Sequence, residues 1–409
     1  MKKRAITIGL FLIVFSIAFV AAMTALGQRQ PSPPPSPADY TVSGPYTHKN
    51  LTIFLLHGSN QSRGSAPLTL QEAMKRKLVV VRETGDVNRL TIQNRSNQDV
   101  FVQAGDIVKG GQQDRVLALD LIVPPRSGRI PIDAFCVEHG RWSRRGDEAV
   151  AAFSASNNAL ASKDLKIAAK AKASQDEVWA NVGKAQEKLA ANLTVPLKGM
   201  PAATPIPGGA ERGVGAGSGS GPGTGAAPQV SLSPPIAQAR SENAVLYTPA
   251  AGLTLAEHSG LASRVSPSSL QLTLENKLVK DTANDYVKNL SSIISGKRDV
   301  IGFVFAINGQ INSADVYSSN ALFVKLWPKM LEASAIEAIA ELKADEKFQP
   351  VEANTVKGFL RESHVGKAET KKVTARTSML KSETEKHLYF ETRDLSRAKT
   401  WLHRNYLAK

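Results

Sequence analysis

The sequence predicts an α+β fold: an N-terminal β-sandwich or partly open barrel, followed by helices and a β-hairpin/helix half, with a disordered Pro/Gly-rich insertion between the two parts. Three observations carry this. Between Leu51 and Val137, short β-branched or apolar runs alternate with polar turn clusters such as Asn94-Arg95-Ser96-Asn97-Gln98-Asp99, the pattern of an all-β unit. From about Asn158 to Asn192 the apolar repeat lengthens to three and four residues, which is the period of a helix. From Lys198 to Ala239, prolines and a Gly/Ser/Ala tract leave too little apolar surface to order the chain. With 409 residues, 42% hydrophobic and 21% charged, the protein has material for a sizeable core, so a fully disordered chain, a collagen and a polytopic membrane protein are excluded.

In chain order, Lys2, Lys3 and Arg4 precede an uncharged apolar stretch from Ala5 to Leu26. Residues 1–27 therefore read as a signal peptide or an N-terminal membrane anchor: Ala25 and Gly27 would suit cleavage before Gln28, yet the run is also long enough to span a bilayer. Pro31, Pro33, Pro34, Pro35 and Pro37 make residues 28–44 an extended spacer, with folded sequence expected from Pro45. Residues 45–197 form the β-rich first half with a C-terminal helix. Its strands are expected at Leu51 to Leu56, Leu78 to Val81, Val87 to Ile92, Val100 to Val102, Val116 to Val123 and Ile130 to Val137. Thr69 and Glu72 have the spacing of a capping box, which starts a short helix at Leu70. Val178, Val182, Ala185, Leu189 and Leu193 then mark the buried stripe of the longer helix, its lysine-rich face in solvent.

Residues 198–239 are read as a linker. Its Gly213-Val-Gly-Ala-Gly-Ser-Gly lacks the Lys-Ser or Lys-Thr that a phosphate loop needs. Residues 240–409 form an α+β second half packing on the first. Here Leu274, Leu278, Tyr286, Val287, Leu290 and Ile294 share a helical face, and Asn308-Gly309 joins Ile301 to Ile307 with Gln310 to Val316 in a type I′ hairpin. Asp315 on that hairpin is expected to pair in solvent. Ser319 caps a helix reaching Leu342, with a bend at Pro328, and the chain ends in a strand over Lys386 to Glu391 and a short helix over Ala398 to Leu407.

The single cysteine, Cys136, excludes an intrachain disulfide and four-cysteine or Cys2His2 zinc sites, and the seven histidines form no HExxH cluster. No metal site and no cofactor is expected. The 51 Lys and Arg against 36 Asp and Glu give a net charge of +15. On an exported chain, that excess points to an anionic small molecule or envelope polymer, with membrane contact through the N-terminal segment if it is uncleaved. Nucleic acid is disfavoured, because no helix-turn-helix, zinc finger or aromatic-basic platform is present.

Two stretches are over-specified for mere strands. Gly105-Asp-Ile-Val-Lys-Gly-Gly-Gln-Gln-Asp-Arg115 sets Gly110 and Gly111 beside Gln113, Asp114 and Arg115, so backbone could approach a ligand that the side chains hold. Cys136-Val-Glu-His-Gly-Arg-Trp142 adds Glu138, Arg141 and Trp142. Together with Asn88-Arg-Leu-Thr-Ile-Gln-Asn94 and the downstream Asn308-Gly309 hairpin, these runs resemble the ARG and rhodanese-phosphatase-superfamily-associated protein domain, where ARG stands for ADP-ribosylglycohydrolase. The resemblance covers about Asn50 to Trp142 well and Asp285 to Leu342 more loosely. It implies an association with ADP-ribose processing, hence a phosphorylated or ribosylated ligand, and transfers no catalytic residue.

The residues themselves leave two functions open. One is a non-catalytic binding module whose rim of Arg115, Arg141 and Trp142 holds an anionic or sugar-phosphate ligand. The other is a hydrolase of a glycosidic or ADP-ribosyl bond with Asp114 and Glu138 as acid and base. Beside both stands a plainer reading, in which the carboxylates pair with neighbouring arginines to fix loops, the glycines form a turn and Cys136 is a small buried hydrophobe. Both functional readings need the two loops to lie side by side.

Overall fold

The computed structural model describes residues 40–61, 64–141, 143–148, 152–193, 260–261, 263, 266–343, 346–397 and 400–409. The expected leader at 1–27 and linker at 198–239 lie outside them, as does Trp142. In chain order the first part comprises β1 (Thr41–His48), β2 (Leu51–His57), β3 (Leu68–Thr69), α1 (Leu70–Lys75), β4 (Val79–Glu83), β5 (Arg89–Asn94), β6 (Val100–Val102), β7 (Asp106–Gly110), β8 (Arg115–Leu117), β9 (Leu121–Val123), β10 (Ile130–Cys136) and β11 (Phe153–Leu160). Helices α2 (Lys163–Lys166) and α3 (Gln175–Leu193) flank a π-helical segment at Ile167–Lys172. The second part runs α4 (Leu270–Glu275), α5 (Lys277–Leu290), β12 (Val300–Ile307), β13 (Gln310–Tyr317), α6 (Asn320–Ala340), α7 (Ala353–Glu362), β14 (Lys367–Lys372), β15 (Thr377–Glu383), β16 (His387–Asp394) and β17 (Thr400–Ala408).

The expected α+β class holds. A six-stranded antiparallel sheet in the order β11-β7-β8-β10-β5-β4 curls until a bridge between Arg82 and Ala152 brings its two edges together, giving a nearly closed barrel. Inward-facing Val81, Leu90, Ile92, Val108, Leu117, Ile132 and Ala134 fill it, with α1 and the small sheet β3-β6-β9 completing this core. An eight-stranded antiparallel sheet, β1-β2-β12-β13-β17-β16-β15-β14, forms the second layer. Because β2 pairs with β12, opposing Phe54 to Val304, the two parts of the chain share one sheet rather than merely touching. Phe303 and Phe305 of β12 pack toward Tyr286, Phe323 and Trp327 of α5 and α6, while Val304 and Ala306 turn toward Val356 and Phe359 of α7. A strand covered on both faces reads as a continuous apolar run, as β12 does.

Signals carried within a few residues came out as expected. Thr69 Oγ1 accepts from the Glu72 N–H at 3.1 Å while Glu72 Oε2 accepts from the Thr69 N–H at 2.8 Å, completing the capping box. Asn308 and Gly309 both have positive φ, 52° and 74°, and a Cβ at Gly309 would lie 2.5 Å from the Gln349 carbonyl, so a close approach as well as the turn demands glycine. Ser319 accepts from the Leu322 N–H and starts α6, within which Pro328 sits.

Other expectations are corrected. Strand β1 begins at Thr41, ahead of Pro45. Val116 to Val123 is not one strand: β8 stays in the barrel and β9 leaves it to pair with β6, with Asp120 at the turn accepting from the Ala104 N–H at 2.6 Å. The C-terminal helix expected over Ala398 to Leu407 is instead β17, since pairing on both sides, with β13 and β16, outweighs the helix propensity of Leu402, Arg404 and Leu407. Strands β14 and β15 and helix α7 were not anticipated, although Val356, Phe359 and Leu360 of α7 recur at helical spacing and are its buried residues. Among the described residues, no helix is long and apolar enough to cross a membrane.

Candidate functional site

The two over-specified stretches meet at one mouth of the barrel. There β4 ends at Glu83 and β7 at Gly110, β8 begins at Arg115, and Cys136 at the end of β10 lies opposite Arg115. Arg141 Nη1 donates to the Gly111 carbonyl at 3.2 Å, which joins the loops directly. Gly111 has φ 58°, and a Cβ there would stand 2.5 Å from both Glu83 Oε1 and the Phe153 ring. Its bareness is therefore occupied by the protein's own carboxylate, which also accepts from the Gln112 N–H at 3.1 Å.

Asp114 and Glu138 are both fully buried. Asp114 Oδ1 accepts from the Gly110 N–H at 2.9 Å and Arg145 Nη2 at 3.0 Å; its Oδ2 accepts from Arg145 Nη1 and Ser269 Oγ, each at 2.9 Å. Glu138 Oε2 accepts from Arg141 Nη2 at 2.6 Å and from the Asp114 N–H at 3.1 Å; its Oε1 accepts from Arg145 Nη1 at 3.2 Å and from Ser266 Oγ. Every oxygen of the pair thus receives two donors. Arg145 reaches on to Glu148 at 3.0 Å.

Burial is the largest influence on Asp114 and raises its pKa; the hydrogen bonds from Arg145 oppose it and the charge of Glu138 reinforces it. Burial also works against a charged Glu138, yet the hydrogen bonds from Arg141 and Ser266 hold its pKa below the usual value. Arg145 loses solvation but gains more from Asp114, so its pKa rises. Chemically, the cluster is an interlocked set of two carboxylates and two guanidinium forks, and it ties the barrel mouth to the start of α4 through Ser266 and Ser269.

Arg115 is 1% exposed and turns inward, donating through Nη1 to the Gln113 carbonyl at 3.1 Å and to Gln113 Oε1 at 3.3 Å, with Nη2 3.7 Å from Glu83. Gln113 is equally buried, and among the described residues its Nε2 has no partner. Arg141 retains 9% of its side-chain exposure. Cys136 is buried and its backbone is clasped by the Gln175 amide; burial pushes its thiol up to about 11, which disfavours the thiolate a nucleophile needs. His139 packs edge-on against Trp179, and His57 bonds Ser43 and Asp299 at the large sheet, so neither enters the cluster. Sequence reasoning missed Arg145, Ser266 and Ser269. Arg145 lies just beyond the second motif and could have been weighed; the serines follow the linker and carry no signal of their own.

A second buried network was not anticipated, and it corrects the expectation that Asp315 pairs in solvent. Asp315 is 2% exposed, and its Oδ1 meets His403 Nε2 at 2.9 Å and Asn405 Nδ2 at 3.0 Å. His403 Nδ1 lies 3.0 Å from Asp120 Oδ2, which also accepts from Thr392 Oγ1 at 2.7 Å and Lys170 Nζ at 3.3 Å. An imidazole with a carboxylate at each nitrogen is held doubly protonated. Burial would lower the pKa of His403, but Asp120 and Asp315 outweigh it and raise the value above 6.5.

The model of the ARG and Rhodanese-Phosphatase-superfamily-associated Protein domain matches residues 39–407. No curated protein and no solved structure matches the chain.

Proposed function

The chain belongs to the family of the ARG and Rhodanese-Phosphatase-superfamily-associated Protein domain, and from that premise we propose that it is a non-catalytic binding domain for an anionic partner, exported or held at the membrane by residues 1–27. One observation carries the non-catalytic part: all four oxygens of Asp114 and Glu138 are engaged inside the protein and neither residue exposes any surface. A general acid or base must come within about 3 Å of the group it serves, and these two are spoken for by Arg141, Arg145 and the serines. The cluster is then a clasp, and Arg115 and Arg141 belong to the scaffold. The excess of 51 cations over 36 anions favours a negatively charged partner contacted elsewhere on the surface.

A second reading, hydrolysis of a glycosidic or ADP-ribosyl bond, draws support from the opposite directions in which the environment moves Asp114 and Glu138, as an acid and its partner would require. The experiment separates the two. The full-length protein is incubated with an ADP-ribosylated peptide and a sugar phosphate, and separately titrated by calorimetry with inorganic phosphate and polyphosphate. Saturable binding without turnover is expected. Turnover that disappears in a folded Asp114→Asn variant would establish the hydrolase, and absence of binding to every anionic probe would end the binding reading.

A further inference from the structure

The end of the barrel opposite the clasp is where β4 begins, β5 ends and β10 begins, with Val79 facing Asn94 and Ile130 facing Ile92. The last residue of α1 and the turns at this end carry Lys75, Arg76, Lys77, Arg95, Arg126 and Arg129, every one of them exposed. The backbone binds these turns together: the Arg95 N–H donates to the Leu78 carbonyl at 2.8 Å, the Arg126 N–H to the Ser96 carbonyl at 3.0 Å, and the Asn94 N–H to Ser127 Oγ at 3.0 Å. Six cations are thereby held on one small face.

Among the described residues, none of the six has an ion-pair partner, and Arg126 Nε bonds only the neutral Asn97 amide, at 2.7 Å. The acids close by in sequence are already taken. Asp99 is gripped by Arg376, with Nη2 at 2.8 Å, and by Arg397 at 3.3 Å, while Glu72 caps α1 and pairs with Lys325 at 3.2 Å. Lys77 and Arg126 moreover sit at φ 57° and 47°, a left-handed conformation that glycine adopts with less strain. Like charges crowded without counterions, two of them on strained backbone, work against stability, so their use lies in contact with something negative.

Resting on the anionic-partner reading, we propose that this end of the barrel docks on the surface of a lipid bilayer carrying anionic phosphate headgroups. The cations come from three separate turns and spread over an end face. The exposed residues between them are Asn97, Gln98, Pro125 and Gly128, and among the described residues no large hydrophobic side chain is exposed on this face, so the contact is electrostatic and peripheral. The apolar segment from Ala5 to Leu26 would keep the domain beside such a surface.

The test is co-sedimentation of the full-length protein with vesicles of phosphatidylcholine alone and of phosphatidylcholine with phosphatidylglycerol. Any adsorption through residues 1–27 is common to both, so the quantity read is the gain produced by the anionic lipid. Neutralising three cations in K77Q/R95Q/R126Q is expected to cut that gain about a hundredfold, at roughly fivefold per charge. K367Q/K371Q/K372Q, the same charge change on the exposed strand β14, is expected to leave it unaltered. K77G/R126G relieves the backbone while removing charge, so it is expected to bind weakly yet melt no lower than the parent, which separates docking from folding. A gain that survives the first triple variant, or that falls equally in both, overturns the proposal. Binding to polyphosphate without binding to anionic vesicles would overturn the bilayer and keep the anionic-partner reading; binding to neither would end both.

Discussion

The barrel mouth and the interior behind the eight-stranded sheet both bury carboxylates against cations, but they recruit different cations. At the mouth, Asp114 and Glu138 are held by the guanidinium forks of Arg141 and Arg145. Behind the sheet, Asp120 and Asp315 are bridged by the imidazole of His403, with Lys170 beside Asp120. A guanidinium stays charged throughout the pH range a protein meets, whereas an imidazolium does not. The contrast teaches that one network is permanent, while the other depends on a proton that can leave.

The heaviest blow to this comparison is Glu138→Ala, which removes the carboxylate that Arg141 and Arg145 share and takes the acceptor from the Asp114 N–H and Ser266 Oγ in a buried setting. It is expected to cost about 3–5 kcal/mol, read as a shift of the urea midpoint. A loss under about 1 kcal/mol would mean the clasp is not what holds the mouth to α4. His403→Gln is expected to cost somewhat less, about 3 kcal/mol near neutral pH, because Asn405 and Thr392 still serve the two carboxylates.

The pH dependence sharpens the difference. The pKa of His403 is raised in the folded state above the 6.5 of a free histidine, so its contribution is fully present below pH 6.5 and is lost as pH rises through the folded value. Urea midpoints of the parent should therefore decline on the alkaline side of that window, and His403→Gln should flatten the decline. An equal slope in both proteins would refute the bridged imidazolium. Gly111→Ala, with its Cβ driven against Glu83 and Phe153 at a left-handed φ, is expected to cost about 2 kcal/mol at the mouth. Smallest of all is Arg144→Ala. Its pair with Asp147 lies beside the clasp but in solvent, with side chains 54% and 108% exposed, so no measurable change in the midpoint is expected. That result would show that burial, and not the mere presence of ion pairs, gives the mouth its strength.

Much of the architecture was legible because its signals are local. The Thr69 capping box, the Asn308-Gly309 turn and the Ser319 cap each need only residues within a few positions of one another. The meeting of the Gly110-Gly111 loop with the Glu138 to Arg141 loop was a condition both functional readings set and no local signal could settle; the barrel supplies it by bringing the ends of β7 and β10 to one mouth. Strand β17 was misread because Leu402, Arg404 and Leu407 suit a helix until β13 and β16 take up their backbone groups. Asp315 was misread because a hairpin residue looks exposed until β17 is laid against it.

By itself, the sequence determined the α+β class, the local caps and turns and the cationic balance, all of which follow from composition or from neighbours along the chain. Only the tertiary structure decided which charges are spent inside the protein and which remain free. Arg115 and Arg95 are the same side chain, but one is sealed under Gln113 and Glu83 while the other stands in solvent. Desolvation and pairing depend on what the rest of the chain places around a group, and that is written in no stretch of a few residues.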